Sequence, residues 1–266
     1  MKYYKYKTKY LNMRQQLQLQ QQIGGKIFQK KQILYIVATI SQPKLKKVTK
    51  EITNTILGEN IKPYRAAHIT LFNLIINAEN DDNIIFQDEK FYNQINNIYK
   101  ETIADKNDPL ILNAKSFPRD FSFSGYRPRH FIKNYESLDP QKILDFRQKI
   151  FDLIESMLGT PNINIYYNNG SKYYIYSYNG KELFAESNYY KNWKPHINFL
   201  NEFDIQKHNP DLYVKLNKYY FNNDKVNVLV DEINHIPQDI YNNINMATQM
   251  KNITYAIDHL IQKKFK

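Results

Sequence analysis

Two short stretches of the chain follow one pattern, and they decide the fold that the sequence predicts. Residues 64–72 read YRAAHITLF, and residues 193–200 read WKPHINFL. In each stretch a histidine is followed by an apolar, a small polar and another apolar residue. Because side chains alternate between the two faces of a strand, the pattern predicts strands with one dry face and one wet face. His68 and Thr70 would share the wet face of the first strand.

The second stretch repeats this arrangement, with His196 and Asn198 on its wet face. Two strands that each present a histidine and a hydrogen-bonding partner can form an acid/base pair across a cleft. The alternative is a coincidence, since a lone histidine on a strand is usually structural. The recurrence of the pattern, with Trp193 and Lys-Pro just before the second histidine, favours the acid/base interpretation.

Composition excludes several chemistries. The 266 residues contain no cysteine, so disulfides, thiolate metal sites and cysteine nucleophiles are excluded. No P-loop, G-x-G-x-x-G, H-E-x-x-H or nucleophile-elbow motif occurs, and we expect neither a cofactor nor a metal. No apolar run approaches the roughly 20 residues of a membrane span. No signal peptide is visible either, so we expect a cytoplasmic protein.

Positive charge is concentrated near the N-terminus. Twelve of the 37 Lys and Arg lie in residues 1–50, where no acidic residue occurs, and residues 51–266 hold 25 basic against 26 acidic residues. The arm, residues 1–31, is therefore predicted either to bind nucleic acid or an anionic surface or to form a solvated amphipathic helix. Its Lys-, Tyr- and Gln-rich run, which ends in Gly24-Gly25, is similar to N-terminal extensions of giant DNA virus proteins. That similarity implies a place in the host cytoplasm or with the virion.

Periodicity and turn residues predict the elements of the rest of the chain. The predicted strands are 33–40, 68–76, 110–114, 130–132, 162–168, 172–178, 181–186, 196–200 and 226–233. The predicted helices are 43–57, 90–104, 140–158, 210–222 and 245–264, and residues 117–129 are predicted to form a loop. Their order predicts an α+β protein of two similar lobes rather than a doubly wound parallel sheet. The domain would span 32–243, with lobes at about 32–135 and 136–243, and a C-terminal helix at 244–266 would pack on it.

With these motifs, the chain resembles the two-histidine (2H) phosphoesterase superfamily, the relatives of bacterial 2′-5′ RNA-ligase-like proteins. HITL at 68–71 is similar to the family's first motif, and PHINF at 195–199 to its second, including the proline before the histidine. The resemblance implies a bilobal fold with two pseudo-symmetric lobes of antiparallel sheet and helices around a central cleft. Asn198 departs from the family pattern, which has Thr or Ser there. An amide can still donate a hydrogen bond to a phosphate oxygen.

The resemblance implies a metal-independent phosphodiesterase that acts on small RNA-like or cyclic nucleotides. Such substrates include 2′,5′-oligoadenylates, cyclic dinucleotides and 2′,3′-cyclic phosphates. One of His68 and His196 would be the base on the attacking hydroxyl and the other the acid on the leaving oxygen, in an order that the sequence leaves open. Thr70 and Asn198 would hold the non-bridging phosphate oxygens. We expect a monomer.

Flanking residues supply further candidates for substrate contacts. They are Tyr64, Arg65, Trp193 and Lys194, although core aromatics and solvated charges are the commoner outcomes. The four histidines outside the motifs are interpreted as structural or surface residues: His130, His208, His235 and His259. Two other functions stay open, a non-catalytic nucleotide- or RNA-binding module, which the departure at Asn198 supports, and a virion structural protein.

Overall fold

A computed structural model describes ten ranges of the chain. They are residues 31–77, 89–114, 121–124, 129–159, 163–166, 172–178, 181–187, 193–218, 241–250 and 252–260. The strands in these ranges are β1 Lys31–Thr39, β2 His68–Asn77, β3 Ile111–Ala114, β4 Phe121–Ser124, β5 His130–Ser137, β6 Ile163–Tyr166, β7 Lys172–Tyr178, β8 Lys181–Ser187, β9 His196–Asn201, β10 Asn243–Asn245 and β11 Asn252–Leu260. The helices are α1 Pro43–Leu57, α2 Glu89–Thr102, α3 Pro140–Leu158, α4 Glu202–His208, α5 Pro210–Lys218 and α6 Met246–Gln249.

The helices α1 and α3 begin and end where turn chemistry predicts. Pro43 and Pro140 occupy the first turn, where the missing N–H costs nothing. The side chain of Asp139 accepts a hydrogen bond of 3.0 Å from the backbone N–H of Gln141 and so caps α3. Gly159 ends α3 with a positive φ of 78°, which favours glycine. Gly58 does the same for α1 with φ of 102°.

The predicted C-terminal helix is wrong. Residues Asn252–Leu260 form β11, which pairs antiparallel with β1 along its whole length. Ile253 and Ile257 are four residues apart, a spacing that fits one face of a helix and equally one face of a strand. Pairing decides between them, because β11 satisfies the backbone groups of β1 that would otherwise form an unpaired edge.

Two smaller differences separate the structure from the prediction. The strand β4 lies inside the stretch 117–129 that was predicted as a loop. The helix predicted at 210–222 is preceded by a separate helix, α4, and Pro210 begins the second one. Residues 1–30, where an amphipathic helix is one of the alternatives predicted for the arm, lie outside the described residues. So do the predicted strand 226–233 and the Asn-Gly pairs at 169–170 and 179–180, which lie between predicted strands.

Every strand pairing in the described part of the chain is antiparallel, and the strands form one curled sheet, which confirms the α+β class. Its main path runs β10-β3-β5-β9-β2-β8-β7-β6. Off this path, β1 pairs with β2, β11 pairs with β1, and β4 pairs with β5. These pairings cross the predicted division of the chain at residue 135. The hairpin β6–β8 pairs with β2, and β5 pairs with β9, because strands find partners by pattern and register rather than by proximity in sequence.

One face of the sheet packs on the helices. The buried side of α1 includes Leu45, Ile52 and Ile56, which share a core with Ile69 of β2 and Ile197 of β9. These two isoleucines directly follow the motif histidines, so the histidines lie on the opposite side of their strands. In the described part of the chain no helix is long and apolar enough to cross a membrane.

Candidate active site

The three central strands of the sheet each begin with a histidine. They are β2 at His68, β9 at His196 and β5 at His130, and β9 lies between the other two. Because β9 runs antiparallel to both neighbours, His68 and His130 lie at the same end of the sheet. The fold thus brings together the two predicted motifs and a third histidine.

Register fixes how the motifs face one another. His68 pairs directly with Asn198, so these two side chains stand on the same face of the sheet. Because the strands are antiparallel, moving two residues forward on β2 and two residues back on β9 pairs Thr70 with His196. Each histidine therefore lies across from the polar partner of the other. The two histidines occupy diagonal positions, for which a typical separation is about 7–8 Å.

The two imidazoles are held by the same local device. Nδ1 of His68 lies 2.7 Å from the backbone carbonyl of Ala66, and Nδ1 of His196 lies 2.8 Å from that of Lys194. Each carbonyl belongs to the residue two positions earlier. A carbonyl can only accept, so Nδ1 carries the hydrogen and Nε2 keeps the lone pair in the neutral ring. Both Nε2 atoms are therefore proton acceptors at neutral pH.

A second shared device is a β-bulge three residues after each histidine. Two consecutive residues of β1 pair with Thr70 and Phe72 of β2, so Leu71 between them has no partner in β1. Likewise, two consecutive residues of β5 pair with Asn198 and Leu200 of β9, so Phe199 has no partner in β5. Bulges of this kind turn side chains toward functional sites and bend the strand.

Burial lowers the pKa of both histidines, and neighbouring cationic groups lower that of His68 further. Burial is the main cause for His68, and the hydrogen bond to Ala66 opposes it. Electrostatic interactions with Arg65, His196 and His130 lower the pKa further, and the net value is about 4. His68 is only 5 % exposed. Burial also lowers the pKa of His196, and the hydrogen bond to Lys194 opposes that effect. Both rings are therefore neutral in the free protein at pH 7.

Trp193 and Arg147 join the first motif to the rest of the fold. The indole N–H of Trp193 donates a hydrogen bond of 3.0 Å to the carbonyl of Thr70. The Arg147 guanidinium donates to the carbonyl of the bulged Leu71 at 3.0 and 3.1 Å, and it lies 5.8 Å from the centre of the Trp193 ring. Trp193 was predicted as a possible substrate contact, and the structure gives its indole this structural bond. Arg147 had no sequence signal, because nothing in a helical pattern shows which carbonyl a side chain reaches.

The other flanking candidates differ in position. Tyr64 is 57 % exposed, its ring meets that of Phe203 edge-on at 6.3 Å, and its backbone N–H donates 2.9 Å to the buried Asp204. Arg65 lies 5.7 Å from the centre of the Tyr64 ring and acts electrostatically on His68. Lys194 is exposed. Tyr64 and Arg65 are thus near the site, and their contact with substrate stays a prediction.

His130 was interpreted as structural or surface, and this interpretation missed its place in the site. Its Nδ1 lies 3.0 Å from Nδ2 of Asn198, and its electrostatic interaction with His68 is one of the causes that lower the pKa of that ring. The one available signal was its position as the first residue of a predicted strand, as for His68 and His196. Among the described residues no group of three or more His, Cys, Asp or Glu could hold a metal ion.

A cavity of about 380 Å³ opens beside the first motif. Its wall includes Ala66 and Ala67, the residues just before His68, and three lysines, Lys46, Lys50 and Lys62. The rest of its wall includes residues of α1, which packs on the sheet face opposite the histidines, and neither His68 nor His196 lines it.

Comparisons of the chain with protein-family models, curated proteins and solved structures gave no match.

Proposed function

We propose that this protein is a metal-independent phosphodiesterase of the two-histidine class, with a bilobal arrangement around His68 and His196. The observation that carries the proposal is the equivalent placement of the two imidazoles. Each begins its strand, each is fixed through Nδ1 to a carbonyl two residues earlier, and each stands diagonal to the other on one sheet face. A phosphodiester between two such Nε2 atoms would have one on each side of phosphorus.

The chemistry follows from that placement. Nε2 of one histidine takes the proton from a ribose 2′-hydroxyl or a water, whose oxygen forms the new bond to phosphorus. The bond from phosphorus to the leaving oxygen breaks, and the other histidine gives that oxygen a proton. Thr70 and Asn198 donate hydrogen bonds to the non-bridging oxygens, where negative charge develops. The second histidine must be protonated at the start, and the negative charge of the substrate raises its depressed pKa.

Positive charge and aromatic surface beside the imidazoles support a nucleotide substrate. Arg65 adjoins His68 and would attract a substrate phosphate, and the lysine-lined cavity beyond Ala66 adds positive charge at this end of β2. The exposed rings of Tyr64 and Phe203 offer a nucleobase an apolar face at the same end of β2. The proposed substrates are therefore 2′,5′-linked adenylates, cyclic dinucleotides and 2′,3′-cyclic phosphates.

The test is turnover of this panel by the full chain in EDTA, followed by separation of products. Wild-type protein should cleave at least one member. His68→Ala and His196→Ala should each lower kcat/KM about 10³-fold, the range of general acid–base catalysis. His208→Ala is the matched control, because His208 lies on α4 outside the motif strands, and it should keep full activity.

Other outcomes decide against the proposal. Absence of cleavage of every panel member by wild-type protein would refute it. If nucleotides then bind, and His68→Ala weakens binding, the non-catalytic binding module is the better interpretation. Activity that survives in both histidine variants would assign the reaction to another site.

A further inference from the structure

The second motif differs from the first in the nature of its donor. Thr70 offers a hydroxyl that rotates freely and can donate in any direction, whereas Asn198 offers a planar amide with a donor end and an acceptor end. If the acceptor end faced a phosphate, oxygen would meet oxygen and binding would suffer. An amide at this position therefore needs something that fixes which end faces the substrate.

His130 is placed to do this. The bulge at Phe199 shifts the register between β5 and β9, so that Ile132 pairs with Asn198 while His130 pairs with Asn201. In this arrangement Nδ1 of His130 lies 3.0 Å from Nδ2 of Asn198. An amide Nδ2 can only donate, so in this contact Nδ1 of His130 accepts one amide hydrogen through its lone pair. Because the amide is planar, fixing one N–H also fixes the direction of the other.

We propose that His130 is a positioning residue that holds the Asn198 amide with its second N–H free to donate to a substrate phosphate. The inference deepens the proposed function and rests on it. It explains how a site can use Asn198 where the resembled family has a hydroxyl, since His130 supplies the orientation that Thr or Ser does not need. His130 itself touches neither substrate nor the reacting atoms in this scheme.

The sharpest test compares His130 variants in two backgrounds, one with Asn198 and one with threonine in its place. His130→Phe removes the acceptor and keeps a ring, whereas His130→Gln keeps an acceptor oxygen. Each is made in the wild-type chain and in Asn198→Thr, whose hydroxyl needs no positioning and whose β-branched side chain suits a strand. Inorganic phosphate serves as the probe, and its Kd is measured through the imidazole NMR signals of His68 and His196. Those signals report on the site and not on the basic arm.

His130→Phe should weaken phosphate binding by about tenfold in the wild-type background, as expected for loss of a charge-assisted hydrogen bond. His130→Gln should restore most of that affinity. In the Asn198→Thr background His130→Phe should change the Kd less than about twofold. With a cleavable panel member, the wild-type-background effect should appear in kcat/KM as well.

Equal losses in both backgrounds, or no loss in the wild-type background, would overturn the positioning role. If His130→Phe does not fold, His130→Ala is measured in both backgrounds and judged by the same criterion. The phosphate readout also separates the two proposals. A chain that cleaves nothing but shows the background dependence contradicts the phosphodiesterase and supports the positioning, and a chain that cleaves without the background dependence does the reverse.

Discussion

The strand that begins at His68 and the strand that begins at His196 share their framework and differ in their surroundings. Both have the Nδ1 bond to a carbonyl two residues earlier and the bulge three residues later. They differ in burial, in the donor that follows the histidine, and in the aromatic residue that precedes it. The comparison shows that the two strands share the backbone features that orient the imidazoles. The side chains around each ring differ between the strands.

The largest expected difference is in the coupling of stability to pH. In the unfolded chain His68 has an ordinary pKa of about 6.5, and in the folded protein its pKa is lowered to about 4. The unfolded state therefore binds more protons between these values, so stability is complete above pH 6.5 and falls as the pH drops toward 4. The loss from His68 alone is on the order of 3 kcal/mol.

Urea unfolding from pH 4 to 8 measures this loss. His68→Gln should flatten the pH dependence of the free energy of unfolding more than His196→Gln, because only His68 has neighbouring cations among the causes of its shift. His208→Gln, on the surface helix α4, is the control. Equal slopes for wild type and His68→Gln would contradict the burial of a neutral ring at this position.

The second difference is between the two donors. Thr70→Ala and Asn198→Ala each remove one hydrogen bond to the developing charge, which should lower kcat by about 100-fold or roughly 2.7 kcal/mol. Asn198→Thr should retain activity within about tenfold, because a hydroxyl donor is restored. Steady-state kinetics on the cleaved panel member give both values. A Thr70→Ala variant with unchanged kcat would remove the threonine from the site.

Sequence alone was sufficient for the two motif strands and their faces, and insufficient for the bulges, the Nδ1 bonds and the surroundings of each histidine. Alternation placed His68, Thr70, His196 and Asn198 on strand faces, because a period of two can be recognised from neighbouring residues alone. The partner of Asn198 could not be found in this way. His130 reaches it only through the register of β5 on β9 and the bulge between them, and pairing across 68 residues leaves no local pattern.

The same limit explains the wrong C-terminal helix. Periodicity described the apolar spacing of residues 245–264, but it could not show that β1 needed a partner along its outer edge. Elements whose ends carry their own signals, such as the proline and glycine that bound α1 and α3, were predicted correctly. Elements such as β11, which are stabilised by pairing with a strand distant in sequence, were not predicted correctly.

The third difference lies in the aromatic residues that precede the histidines. Tyr64 is exposed and available to a nucleobase, so Tyr64→Ala should raise KM by about 5- to 30-fold with kcat nearly unchanged, a loss of about 1–2 kcal/mol of stacking. Phe203→Ala should act in the same direction through the paired ring. Leu138→Ala is the control, since Leu138 is also exposed but lies on the turn before α3. A fall in kcat with constant KM would contradict a role in base binding.

Trp193 gives the smallest effect and the most direct contrast with Tyr64. Its indole N–H donates to the Thr70 carbonyl, and its ring packs against the core, so Trp193→Phe removes a hydrogen bond and keeps most of the packing. We expect a loss of about 1 kcal/mol in the free energy of unfolding and no change in KM, measured by urea titration and steady-state kinetics. A raised KM with unchanged stability would instead show that Trp193 meets the substrate. The aromatic residues before the two histidines would then have the same role, and the specialisation of the two strands would be confined to their donors.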